Sequence, residues 1–140
     1  MKEANPLVGE ERVGIWIDTE KACIIRSNGE MHTLSMDATR HKRILKSKLG
    51  GLHGGRPSRS EKQQQTSLNE DLRRYLSEVL DSVGCAQRIV VFGPAYVKNE
   101  LGKALAEDAR FLHAQVELVT ADRMTPNQMS AWVKRYFHNG

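Results

Sequence analysis

The chain has 140 residues, of which 39% are hydrophobic and 27% charged, and a formal charge of +4. That length supports one domain with its own core, without disulfide or metal staples. No apolar run approaches the roughly 20 residues of a membrane-spanning helix, and Cys23 and Cys85 lack any C-x-x-C spacing, so the chain reads as a cytoplasmic domain with reduced thiols and no membrane partner.

Residues 1–11 hold Pro6 and Gly9 without periodicity and read as a flexible tail. Residues 12–140 read as one domain. "RVGIWID" (Arg12–Asp18) and "KACIIRS" (Lys21–Ser27) have buried-strand patterns, and the intervening Asp18–Glu20 is short enough for a hairpin. Asn28-Gly29 is the strongest short hairpin signal, since both residues accept positive φ. "EMHTLSM" (Glu30–Met36) alternates as a half-buried third strand should. Three antiparallel strands therefore open the domain.

After a long interruption, Ser67 and Glu70 are spaced as a capping box. Leu72, Tyr75, Leu76, Val79, Leu80 and Val83 then recur at helical steps, and Gly84 supplies a stop. "RIVVFG" (Arg88–Gly93) is the run of a strand buried on both faces. Pro94 opens a second helix with Val97, Leu101, Ala104 and Leu105 on one side, and "VELVTA" (Val116–Ala121) is a fifth strand. Thr125, Pro126 and Gln128 cap a last helix whose Met129, Trp132, Val133, Tyr136 and Phe137 form one inward stripe, core rather than a base-stacking platform. The order β-β-β-α-β-α-β-α predicts an α/β fold with a mixed five-stranded sheet and helices on its faces.

Charge is concentrated in the interruption. The chain has 21 basic and 17 acidic residues; eight and one of these fall between Arg40 and Lys62, leaving 13 and 16 elsewhere. A body of net −3 carrying a segment of net +7 points to a polyanion such as RNA.

The hairpin "VGIWIDTEKACIIRSNGEMHTLSM", the loop "LHGGRPSRSEKQQQ" and the strand and helix "IVVFGPAYVKNELGKAL" together resemble the central domain of the archaeal and eukaryotic class-one peptide release factors, its pelota relatives and small bacterial single-domain members of that superfamily. The resemblance runs from about Arg12 to Phe137. It implies a ribonuclease-H-like sheet with a mobile basic loop over residues 40–66, and as partners the ribosome, rRNA or tRNA, with no cofactor or metal. In those factors the loop carries Gly-Gly-Gln, which assists water in attacking peptidyl-tRNA; here Gly54-Gly55-Arg56 stands in its place. A guanidinium donates five N–H groups and accepts none, so it suits phosphate or guanine contact and does not replace a glutamine amide. The expected RNA-binding residues are Arg43, Lys46, Lys48, Gly50, Gly51, His53, Gly54, Gly55, Arg56, Arg59 and Lys62. The expected function is ribosome or tRNA binding, in rescue or release, without efficient peptidyl-tRNA hydrolysis and with no catalytic residue assigned.

Two other classes compete. A metal-dependent nuclease of the same fold needs converging carboxylates; Asp18, Glu70, Asp71, Glu78 and Asp122 are the candidates, but Arg88–Gly93 contributes none. Asp18 reads more simply as a turn former. His41 and His53 lack partners at zinc-ligand spacing. The remaining alternative is a protein-interaction module whose basic loop binds an acidic partner.

Overall fold

A computed structural model of the chain describes residues 11–38, 61–94 and 96–139. Five strands form one sheet: β1 (Arg12–Ile17), β2 (Lys21–Arg26), β3 (Met31–Ser35), β4 (Arg88–Gly93) and β5 (Gln115–Thr120). Their spatial order is β3-β2-β1-β4-β5. β1 pairs antiparallel with β2, and β2 with β3, while β1, β4 and β5 run parallel. This is the expected mixed sheet, and it is consistent with a ribonuclease-H-like arrangement.

Both hairpin turns follow from local chemistry. The Asp18 Oδ1 accepts from the backbone N–H groups of Glu20 and Lys21, each at 2.8 Å, which closes the first turn. In the second, Gly29 N–H donates to Arg26 O at 2.9 Å and Gly29 adopts φ +98°. No described non-glycine residue has positive φ. The hairpin expected at Asn28-Gly29 is present, as a three-residue turn that needs positive φ at Gly29 alone. The Asn28 carboxamide instead accepts from Glu30 N–H at 2.9 Å.

Among the described residues, the sheet is covered by α1 (Glu61–Val83), α2 (Val97–Glu107) and α3 (Pro126–Asn139). α1 and α2 enclose one core with Val13, Ile15, Ile17, Ile24, Ile89 and Val91. On the other face, α3 places Met129, Val133 and Phe137 over Trp16, Cys23, Ile25, Val90 and Phe92. This alternation of strand residues between two cores explains why β1 and β4 read as continuous apolar runs. β5 is an edge strand, so its Val116 and Leu118 remain 37% and 40% exposed.

Gly84, at φ +71°, ends α1 with its N–H donating to Leu80 O at 3.0 Å. The α1 start is corrected: it begins at Glu61, not at a Ser67 cap, so residues 61–66 are helix rather than loop. α2 begins at Val97, three residues beyond Pro94, with Tyr96 at its N-cap. Glu11, placed in the tail by the sequence, is tied to the sheet because its carbonyl accepts from Gln87 and Arg88 N–H; residues 1–10 lie outside the described part of the chain.

Candidate functional site

β1, β3, β4 and β5 all end at one edge of the sheet, as the strand directions require. The flanks of the cationic segment sit there. Met36 N–H, just past β3, donates to Glu20 O at 2.8 Å, and Ala38 N–H donates to the Ser35 hydroxyl at 3.0 Å. On the other flank, α1 runs antiparallel to β1. Its Tyr75 hydroxyl donates to Asp18 O at 3.2 Å, while the Ser82 and Val83 carbonyls accept from Arg26 Nη2 at the opposite edge. The ten residues from Glu61 to Glu70 precede Asp71, which is buried, and Leu72, which packs on the core. At 1.5 Å per residue they make roughly 15 Å of helix ahead of that packing. Of the expected contact residues, Lys62 lies in this leading part of α1. Arg43, Lys46, Lys48, Gly50, Gly51, His53, Gly54, Gly55, Arg56 and Arg59 lie outside the described residues, as does His41.

The carboxylates of the nuclease alternative do not assemble. Asp18 is 5% exposed and spends one oxygen on its turn; the other lies 3.9 Å from Arg123 Nη2. Asp71 is buried at 2%, Glu78 is half-buried, and Glu70 and Asp122 are exposed. Asp122 contributes its backbone carbonyl to Trp16 Nε1 at 3.3 Å. Among the described residues no group of three His, Cys, Asp or Glu side chains could hold a metal ion. Asp18 is therefore a structural residue of the first turn, as its position before Thr19 suggested.

The opposite edge carries two grooves that the sequence did not announce. One, of about 240 Å³, is lined by Arg88, Gln115, Glu117, Tyr136 and Phe137 among others. The second, of about 200 Å³, is lined by Arg12, Ser27, Ser130, Lys134, Phe137 and His138 around an apolar floor. Phe137 is common to both. Arg12 and Arg88, the first residues of two paired strands, are Cα partners, and the Arg88 guanidinium lies 5.4 Å over the Phe137 ring. The signal available in the sequence was that two parallel buried runs, "RVGIWI" and "RIVVFG", both begin with arginine.

The aromatic stripe of α3 is divided. Met129, Val133 and Phe137 are buried as expected, whereas Trp132 and Tyr136 are half-buried. Trp132 stacks on Phe92 with centroids 3.9 Å apart and planes at 6°, and Tyr136 continues the stack at 5.5 Å and 5°. Tyr136 meets Phe137 edge-on at 82°. The ladder begins in the core and ends at the first groove.

Among the described residues no helix is long and apolar enough to cross a membrane. No protein-family model matches the chain, and no curated protein matches it. Solved structures do, among them the crystal structure of an archaeal translation termination factor. It is 14% identical, with a TM-score of 0.46, over 92% of this chain and 38% of that one. The chain thus spans little more than a third of that factor's length.

Proposed function

We propose that this domain is a translation-related, RNA-binding protein that contacts the ribosome or a tRNA through Arg43–Lys62. The observation that carries the reading is the attachment of the most cationic stretch of the chain at the carboxyl edge of the sheet. That is the side on which open α/β sheets carry their ligand crevices. The leading part of α1 supports it, because it carries Lys62 ahead of the helix's packing on the core. Gly54 and Gly55 lack a Cβ and let backbone approach a crowded RNA surface. Arg56 and Arg59 supply guanidinium forks for phosphate. With Arg56 where the related factors carry glutamine, the domain binds without efficient peptidyl-tRNA hydrolysis. The setting is cytoplasmic.

Ribosome co-sedimentation tests the reading. The intact chain is expected in the ribosomal fractions, and Arg56→Ala/Arg59→Ala and a deletion of residues 50–60 are expected to leave them with unchanged melting temperature. Equal sedimentation of all three proteins, or robust release of peptide from peptidyl-tRNA by the intact chain, would defeat it.

A further inference from the structure

We propose that the two grooves flanking Phe137 form one nucleotide site at the amino edge of the sheet, taking a guanine base between Tyr136 and Glu117 and its phosphate at Lys134 and His138. The site stands apart from the cationic segment and does not rest on the function proposed for it.

The base groove has the parts such a ligand needs. Its wall is Tyr136, the outer ring of a stack that runs through Trp132 to the fully buried Phe92. A ring so backed is held in one plane and presents a ready surface for a base, which stacks on any aromatic face. At about 240 Å³ the groove falls below the roughly 300–1,000 Å³ of drug-sized pockets, the scale of a single base. Its polar lining is Arg88, Gln115 and Glu117. Glu117 is exposed on β5 and its carboxylate accepts hydrogen bonds only. The Watson–Crick edge of guanine offers it two adjacent donors, the ring N1–H and the exocyclic amine. Adenine offers one donor beside a repelling acceptor, and hypoxanthine lacks the amine.

The neighbouring groove completes the ligand. Lys134 and His138 lie one helical turn apart on α3, and Arg12, Ser27 and Ser130 line the same space. Among the described residues no carboxylate lines it. Cations and hydroxyls converging on a small cavity suit a phosphate. Phe137 borders both spaces and joins them along one wall. The chemistry fits a guanosine 5′-phosphate, either free or as one residue of an RNA strand.

Nitrogen-15 NMR titration of the full-length chain decides the matter, with GMP, IMP, AMP and inorganic phosphate as probes. GMP is expected to shift the amides of Glu117, Tyr136 and Lys134 together, with IMP and AMP roughly tenfold weaker, the discrimination a bidentate contact supplies. Glu117→Gln should erase the preference for GMP over AMP, and Lys134→Ala should weaken GMP and phosphate alike. Both positions are exposed, and the unperturbed part of each spectrum reports the fold. Arg56→Ala/Arg59→Ala should leave GMP binding intact; its loss there would move the site elsewhere and overturn the proposal. Equal binding of all four probes, with shifts confined to Lys134 and His138, would also overturn it, as would no shift at millimolar GMP. A short guanine-containing RNA that displaces GMP from the same amides assigns the site to a strand. Failure to displace assigns it to the free nucleotide.

Discussion

Gly14 lies on β1 directly beneath Val133 of α3, so closely that a Cβ at position 14 would overlap both Val133 methyl carbons. Valine is branched at Cβ and has little rotamer freedom in a helix with which to yield. Gly14→Ala is therefore expected to cost about 1–3 kcal/mol through overpacking, read from urea denaturation. Val133→Ala in the same chain should recover part of that loss; a double variant no more stable than Gly14→Ala would show that the two residues do not meet. Tyr75 makes a second prediction at this scale. Burial first, and then the neighbouring Asp18 and Cys23, push its phenol well above the ordinary 10.0. A raised folded value favours the neutral form, so the stabilisation is complete below pH ~10 and declines as pH rises beyond it. Wild type should lose stability in that window faster than Tyr75→Phe. Parallel curves for the two proteins would contradict the burial of an un-ionised phenol against Asp18.

The capped start of α3 is the element in which sequence and structure agree most fully. Thr125 Oγ1 accepts from Gln128 N–H at 3.2 Å, and Gln128 Oε1 accepts from Thr125 N–H at 2.9 Å. Thr125→Ala should cost about 1 kcal/mol in thermal or chemical denaturation, while Thr125→Ser retains most of the stability. A neutral Thr125→Ala would mean that this box does not hold the helix. The same motif misled at α1, because Ser67 and Glu70 have the right spacing but lie inside the helix. The residues before Leu72, "EKQQQTSLNED", are mostly helix formers without an apolar stripe. Periodicity detects a face that is buried, and packing of α1 on the core is described only from Asp71 and Leu72 onward. The strands were legible to within one residue at every end, helped by β1, β2 and β4 being apolar on both faces. The edge position of β5 was not, since "VELV" reads alike in a central or an outer strand. Nor were the amino-edge grooves, which depend on register: Arg12 meets Arg88, and Arg88 meets Gln115, only once β1, β4 and β5 are paired.

At the scale of the whole molecule, charge and topology are separated in a way that makes the proposed RNA contact measurable. The segment from Arg40 to Lys62 carries eight basic residues and one acidic, whereas the remainder has 13 and 16. Met36 and Tyr75, on its two sides, bond to the sheet at the carboxyl edge, while the grooves beside Phe137 lie at the amino edge. A strand held mainly by the segment would release counterions in proportion to the phosphates it neutralises, with a log–log salt slope of about −0.7 per phosphate on a single strand. Removing Arg56 and Arg59 together should therefore flatten the slope by about 1.4, measured by fluorescence anisotropy of a labelled single-stranded RNA across a salt series. Lys134→Ala reports on the opposite edge, where a strand seated beside Phe137 would add a phosphate contact of its own. A slope that falls with Arg56→Ala/Arg59→Ala and holds with Lys134→Ala assigns phosphate contact to the carboxyl edge. The reverse pattern would assign the strand to the amino edge and remove the cationic segment from RNA binding.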